Sequence, residues 1–139
     1  MRGSISDPLA RCAVLFLALI AAPALADSPE GVWASQPDKT GAGIHVEIKP
    51  CVDPARLCGT IVALYGPASD DPDSLVGREM ISQMGADGDA AWSGGTIWAP
   101  DEDKSYDAEM ELKGPDTLSV SGCILGGLIC RGQDWSRVP

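Results

Sequence analysis

The stretch GCILGGLICRGQDWSRVP, residues 122–139, decides the fold. Cys123 and Cys130 flank Gly126-Gly127. A two-residue turn at the double glycine sets Leu125 opposite Leu128, Ile124 opposite Ile129 and Cys123 opposite Cys130. Opposed residues of an antiparallel pair lie about 4.5 to 5.5 Å apart at Cα. A disulfide needs about 4.4 to 6.8 Å. The stretch is therefore expected to be a stapled hairpin, with its cysteines on a hydrogen-bonded site, the wider spacing. KPCVDPARLCG, residues 49–59, repeats the C-x6-C spacing, and Cys51 and Cys58 bracket a second hairpin. Zinc ligands stand about two to four residues apart, and redox pairs favour C-x-x-C. Structural disulfides fit better than either, although four cysteines allow three connectivities, cross-pairing between the hairpins included.

The rest of the chain agrees with a β-fold. In GIHVEIKP, Ile44, Val46 and Ile48 alternate with His45, Glu47 and Lys49. Ala108, Met110 and Leu112 alternate with Asp107, Glu109 and Glu111, and Leu118 and Val120 with Thr117, Ser119 and Ser121. Such alternation marks half-buried antiparallel strands. No stretch keeps a convincing helical period, and Gly and Pro recur throughout. Strands are expected at 31–36, 43–50, 58–65, 78–84, 94–99, 105–113, 116–123 and 129–136. The longest connection is 66–77. The fold class is all-β, a small eight-stranded antiparallel meander barrel, because closure removes exposed edges. A β-sandwich is the alternative.

The first segment reads as an address. Arg2 and Arg11 precede the apolar run 12–26, which ends Ala24-Leu25-Ala26. This fits a signal peptide, 1–26, cleaved before Asp27 to leave one domain, 27–139. The run is too short for a membrane span of about 20 residues. Cys12 precedes the apolar core, unlike the cysteine of a lipid-anchored signal. The product is expected to be soluble and exported, periplasmic or secreted, without membrane insertion. Export also suits an even number of disulfide cysteines. The chain carries 10 Lys and Arg against 20 Asp and Glu, a formal net charge of −10. Losing Arg2, Arg11 and Asp7 makes it one unit more negative. Nucleic acid and anionic membrane are poor partners for such a surface.

EGVWAS near the start, WSGGTIWAPDEDKSY in the middle and LSVSGCILGGLICRGQDWSR at the end stand in an order that resembles a bacterial exported family known as domain of unknown function 2147 (DUF2147). The resemblance covers nearly all of residues 30–138. It implies a lipocalin-like barrel in which the Gly-x-Trp of the first strand, here Gly31-Val32-Trp33, packs its indole at the closed end. A basic residue of the last strand, here Arg137, lies over it. The turn in APDEDKSYD lacks the glycine usual in the family. The family has no settled activity, so it supplies no catalytic residues.

Chemistry leaves few traces. His45 is the only histidine, and no G-x-S-x-G motif accompanies it. Neither an enzyme, a metal site nor a cofactor is expected. Asp70-Asp71-Asp73, Asp87-Gly88-Asp89 and Asp101-Glu102-Asp103 lack the spacing of a calcium loop and read as solvated turns. The interior is the candidate site. Val46, Ile48, Met80, Trp98, Met110 and Leu112 are expected to line it, and methionine suits an adaptable surface. Arg131 and Gln133 share a face with Ile129 and Trp135. If that face is inward they can orient a ligand's carboxylate, whereas a bulge at Gly132 turns Arg131 outward. One reading is an exported, non-enzymatic binder of a small, mainly apolar ligand. The other is a filled barrel acting through its surface and the 66–77 loop on a protein partner.

Overall fold

Alternating strands with short turns leave one economical solution, a sheet that bends until its first and last strands meet. A computed structural model describes residue 3 and residues 14–18, 27–67 and 74–139, so most of the expected signal peptide and residues 68–73 of the long connection lie outside the described residues. Eight strands follow in order: β1 (Gly31–Ala34), β2 (Gly43–Pro50), β3 (Arg56–Tyr65), β4 (Glu79–Ala86), β5 (Ala91–Ala99), β6 (Lys104–Leu112), β7 (Thr117–Ile124) and β8 (Ile129–Arg137). Each pairs antiparallel with the next, and β1 pairs with β8, closing a barrel. The sandwich alternative is thereby excluded.

The bounds differ from the expected ones where backbone irregularity hides the period. β5 starts at Ala91 and not at 94, because a register shift between Trp92 and Gly95 carries the strand through Gly94-Gly95. β3 starts at Arg56, since the Arg56 carbonyl accepts from the Cys51 N–H. β1 stops at Ala34 and not at 36, because Ser35 is drawn toward β2 and β3. Its N–H donates to the Ile44 carbonyl, its Oγ accepts from the Ile44 N–H, and its carbonyl accepts from the Tyr65 hydroxyl.

The closed end is organised by Arg137. Its guanidinium lies 4.3 Å from the centroid of the Trp33 ring. Its Nε donates to the Pro115 carbonyl (2.7 Å), Nη1 to Glu30 (2.9 Å) and Nη2 to Ser28 (2.7 Å). The indole is fully buried, and its N–H donates to the Pro29 carbonyl at 2.8 Å. One side chain thus ties the N-terminal approach, β1, β8 and the β6–β7 turn together. Gly31 is part of the same device. Its φ is +129°, and a Cβ there would meet Nη1 of Arg137 at 2.8 Å. Above this plug the core is packed by Ile48, Leu118, Met84, Leu112, Val46, Ile61 and Met110. Each such side chain contributes about 1.5 to 3 kcal/mol when fully buried.

Both disulfides are local, Cys51–Cys58 and Cys123–Cys130. The last hairpin differs in detail from the sequence reading. The loop spans four residues, 125–128, beyond the last pair Ile124↔Ile129. Leu125, Gly126 and Gly127 have φ of +55°, +67° and +92°. The Arg137 N–H donates to the Asp116 carbonyl, so odd-numbered residues of β8 bond to β7. Cys123 and Cys130 therefore form a non-hydrogen-bonded pair, the narrow site, with Cα atoms 4.1 Å apart. The expected wide site assumed a two-residue turn, and the longer loop shifts the ladder by one. Cys51 pairs diagonally, since Cys58 stands opposite Lys49. Closing a loop of about eight residues contributes roughly 2 to 3 kcal/mol in the chain-entropy model.

Peptide mapping without reduction is expected to link Cys51 to Cys58 and Cys123 to Cys130; a cross-hairpin linkage would contradict this register. Arg137→Ala is expected to lower stability in urea by about 2 to 4 kcal/mol through lost charged hydrogen bonds and the indole contact. Arg137→Lys should recover less than half, because an ammonium cannot fork to three carbonyls. Gly31→Ala should cost about 1 to 3 kcal/mol by strain at positive φ.

Candidate functional site

In a meander barrel the connections alternate between the two ends. The β2–β3, β4–β5 and β6–β7 turns share the closed end with residues 28–30. The β1–β2, β3–β4, β5–β6 and β7–β8 connections share the other. A cleft of about 590 Å³ opens there. Ile44, Met80, Ile97, Trp98, Val120 and Trp135 form its apolar wall, and Ile124 and Ile129 its apolar rim. Arg131, Gln133 and Tyr106 supply polar groups, and Asp38, Asp101 and Glu102 supply carboxylates.

The expected lining residues divide between two layers. Met80, Trp98, Arg131 and Gln133 line the cleft. Val46, Ile48, Met110 and Leu112 do not; they belong to the packed core below it. The reason is position along the strand: Ile44 precedes Val46 on β2 and Tyr106 precedes Met110 on β6, so the inward residues nearest the mouth take the lining role. Alternation identifies a face but not a depth. Residues such as Ile97, Val120 and Trp135 were legible as inward or apolar, but nothing local marked them as cleft walls.

The Gly132 bulge does not form. β7 and β8 pair without a register shift from Thr117↔Ser136 to Ile124↔Ile129. Arg131 stands opposite Gly122 on the same face as Gln133 and Trp135, and that face is inward. No hydrogen bond or ion pair engages the Arg131 guanidinium among the described residues. Gln133 is engaged: its Oε1 accepts from the Trp135 indole N–H and from the Gln36 backbone N–H, both at 3.2 Å.

The rim is built by local hydrogen bonds. Asp38 Oδ1 accepts from the Thr40 N–H (2.7 Å), the Thr40 hydroxyl (2.6 Å) and the Ala42 N–H (3.1 Å). The Thr40 hydroxyl, and then these amides, hold its carboxyl below the ordinary value of 3.8. Trp98 donates its indole N–H to Asp103 Oδ1 at 2.9 Å, and Arg78 lies 3.7 Å from its ring centroid. Asp103 has φ +49°. It stands in the β5–β6 turn, and aspartate tolerates this left-handed conformation. His45 faces away from the cleft beside Tyr65, ring centroids 5.4 Å apart. Glu109, Cys123 and Cys130 come within 4.8 Å of one another, but the two sulfurs are bonded to each other.

The Tyr106 hydroxyl donates to Glu102 Oε2, and this bond to a carboxylate raises the phenol above 10. A raised phenol stabilises the folded mouth below the ordinary phenol range. That contribution is lost as pH rises through the folded pKa. Ultraviolet titration is expected to show Tyr106 ionising above pH 10, and Glu102→Gln should bring it down. An unchanged titration would remove this bond from the account.

The comparisons match this architecture. The solved structure of the protein HP1028 from Helicobacter pylori, described as belonging to the lipocalin family, resembles the chain with a TM-score of 0.66 at 14% identity; the match covers 81% of this chain and 84% of that one. At that identity the likeness is one of fold. Among curated proteins none matches by sequence. The profile of DUF2147, uncharacterised proteins conserved in bacteria, matches residues 31–137, which takes in the whole barrel from Gly31 to Arg137: the chain belongs to the DUF2147 family.

Proposed function

We propose that this is an exported, non-enzymatic binding protein that takes a small, mainly apolar ligand into the open end of its barrel. The observation that carries the reading is the cleft of about 590 Å³ with apolar walls and an inward guanidinium at Arg131, which no hydrogen bond or ion pair engages among the described residues. Concave sites with apolar walls and a few convergent polar groups are the usual form of small-ligand pockets. The walls take the ligand's body, and Arg131 takes an acidic end. Gln133 is already held by Gln36 and Trp135, so it fixes the wall more than it contacts a ligand. Export rests on the apolar segment 12–26 and on the disulfides.

A surface-interaction reading draws on a different observation. Leu125 is 67% and Leu128 84% exposed at the tip of the β7–β8 hairpin, an apolar knob suited to a protein partner.

Native mass spectrometry of protein purified from an exporting host tests the first reading. A discrete extra mass released on denaturation is expected. A bare mass, together with no binding of straight-chain acids by tryptophan fluorescence, would turn the assignment toward the hairpin tip. Arg131→Ala is expected to weaken a chain acid about tenfold while leaving the alcohol of equal length unchanged. Equal loss for both would mean that Arg131 does not read the acidic end.

A further inference from the structure

The barrel is closed by a short seam. β1 pairs with β8 only at Trp33↔Arg137 and Ala34↔Ser136. Continuing the same register would set Gln36 opposite Asp134 and Asp38 opposite Gly132. That continuation does not occur: the Gln36 N–H, which would meet Asp134, donates instead to the Gln133 side chain at 3.2 Å. Above Ser136, β8 has ladder pairs with β7 only among the described residues, and on its other side Gln36 reaches just the Gln133 side chain.

The orientation of its free backbone groups follows from two bonds. The Arg137 N–H points to Asp116 beside β7, and the Val138 N–H points to Val32 in β1. Since the directions alternate along a strand, Cys130, Gly132 and Asp134 turn their N–H and C=O groups to the vacant side. No backbone hydrogen bond engages them there among the described residues. The segment from Ile129 to Asp134 is exposed throughout. The cleft reaches this slot, for Ser35, Gln36 and Asp38 line it on one side and Arg131, Gly132 and Gln133 on the other.

We infer that the vacant edge of β8 receives an extended protein segment that adds as a strand, antiparallel to β8, in the place β1 leaves. Strand addition takes its affinity from backbone bonds and its specificity from alternate side chains. Side chains on the inner face of such a segment point over the apolar cleft. Those on the outer face meet Asp134 beside Lys113. Asp38, Asp101 and Glu102 line the cleft beside the slot with Arg131, and Asp134 on the outer face is shared with Lys113 at 3.9 Å, on a chain of net charge −10. The segment that fits is therefore apolar at alternate positions and basic between them. A second copy of this chain fits less well, since it would bring its own acidic surface to the edge. This inference goes beyond small-ligand binding and does not depend on it.

The test uses the full folded barrel and a synthetic peptide of about seven alternating valines and lysines, the length of an ordinary strand. Residue-resolved amide hydrogen exchange is measured with and without peptide. Exchange at Cys130, Gly132 and Asp134 is expected to slow by about tenfold or more, with Arg131 and Gln133 unchanged because β7 already holds them. Hydrogen-bonded pairs in an antiparallel ladder share a face, so the outward lysines carry the peptide's bonding amides. N-methylation of the lysines should abolish the protection, and N-methylation of the valines should leave it. Asp134→Lys, a change at an exposed side chain, should weaken the valine–lysine peptide and favour a valine–glutamate one. Unchanged exchange at the three amides at about 1 mM peptide, where millimolar affinity would still register, would overturn the inference. Equal effects of both N-methylated sets would overturn it too, since they would mean capture by side chains alone. Protection that appears without peptide and grows with protein concentration would assign the edge to a second copy instead.

Discussion

The contact on which this barrel depends is the Arg137 guanidinium over the Trp33 indole. A barrel of eight short strands gains little unless its first and last strands meet, and here they share two residue pairs. Such a seam is too short to close the sheet by ladder bonds alone. The guanidinium adds three backbone carbonyls from two other segments, Ser28 and Glu30 before β1 and Pro115 between β6 and β7. A buried indole needs a partner for its N–H, and the Pro29 carbonyl provides it. Closure, capping and core packing at this end are thus one arrangement. Gly31 belongs to it because any side chain there would occupy the space of Nη1.

Concentrating closure at one end has consequences at the other. The strands approach the mouth without a comparable plug, and β1 leaves β8 at Ser35. The mouth is shaped instead by local devices: Asp38 inside its loop, Tyr106 on Glu102, and Trp98 between Arg78 and Asp103. These fix walls without filling the space between them. The same chain therefore holds a packed layer around Leu118, Val46 and Met110 and an open layer around Arg131 and Trp98.

Much of the architecture was legible because alternation has a period of two and the turns carry Gly, Pro and Asp. Strand order, closure and both staples followed from these signals. Depth did not. Val46 and Ile44 carry the same pattern, yet only Ile44 reaches the cleft, since the period says which face a residue takes and not how far it lies from the mouth. The ladder at Cys123 was misjudged for a related reason. Gly126-Gly127 marks a turn but does not say whether Leu125 belongs to a strand, and a left-handed leucine is not a signal that composition carries. The early end of β1 rests on tertiary contacts of Ser35 with Ile44 and Tyr65, which no local pattern announces.

The placement of the two disulfides follows from the same asymmetry. Cys51–Cys58 joins β2 to the start of β3 beside the plugged end, where neighbouring strands already hold both sides of the sheet. Cys123–Cys130 lies where β8 has β7 on one side and no paired strand on the other among the described residues. A strand held along one edge is free to fray from its loop inward, and an exposed edge is also a template for unwanted pairing. The staple resists the first by tying the two strands one pair below the loop. Arg131 and Asp134 limit the second, since charged residues on an edge disfavour indiscriminate addition. The open half of the barrel is in this way kept both accessible and straight, with covalent bonding standing in for the neighbouring strand that closure at the other end supplies.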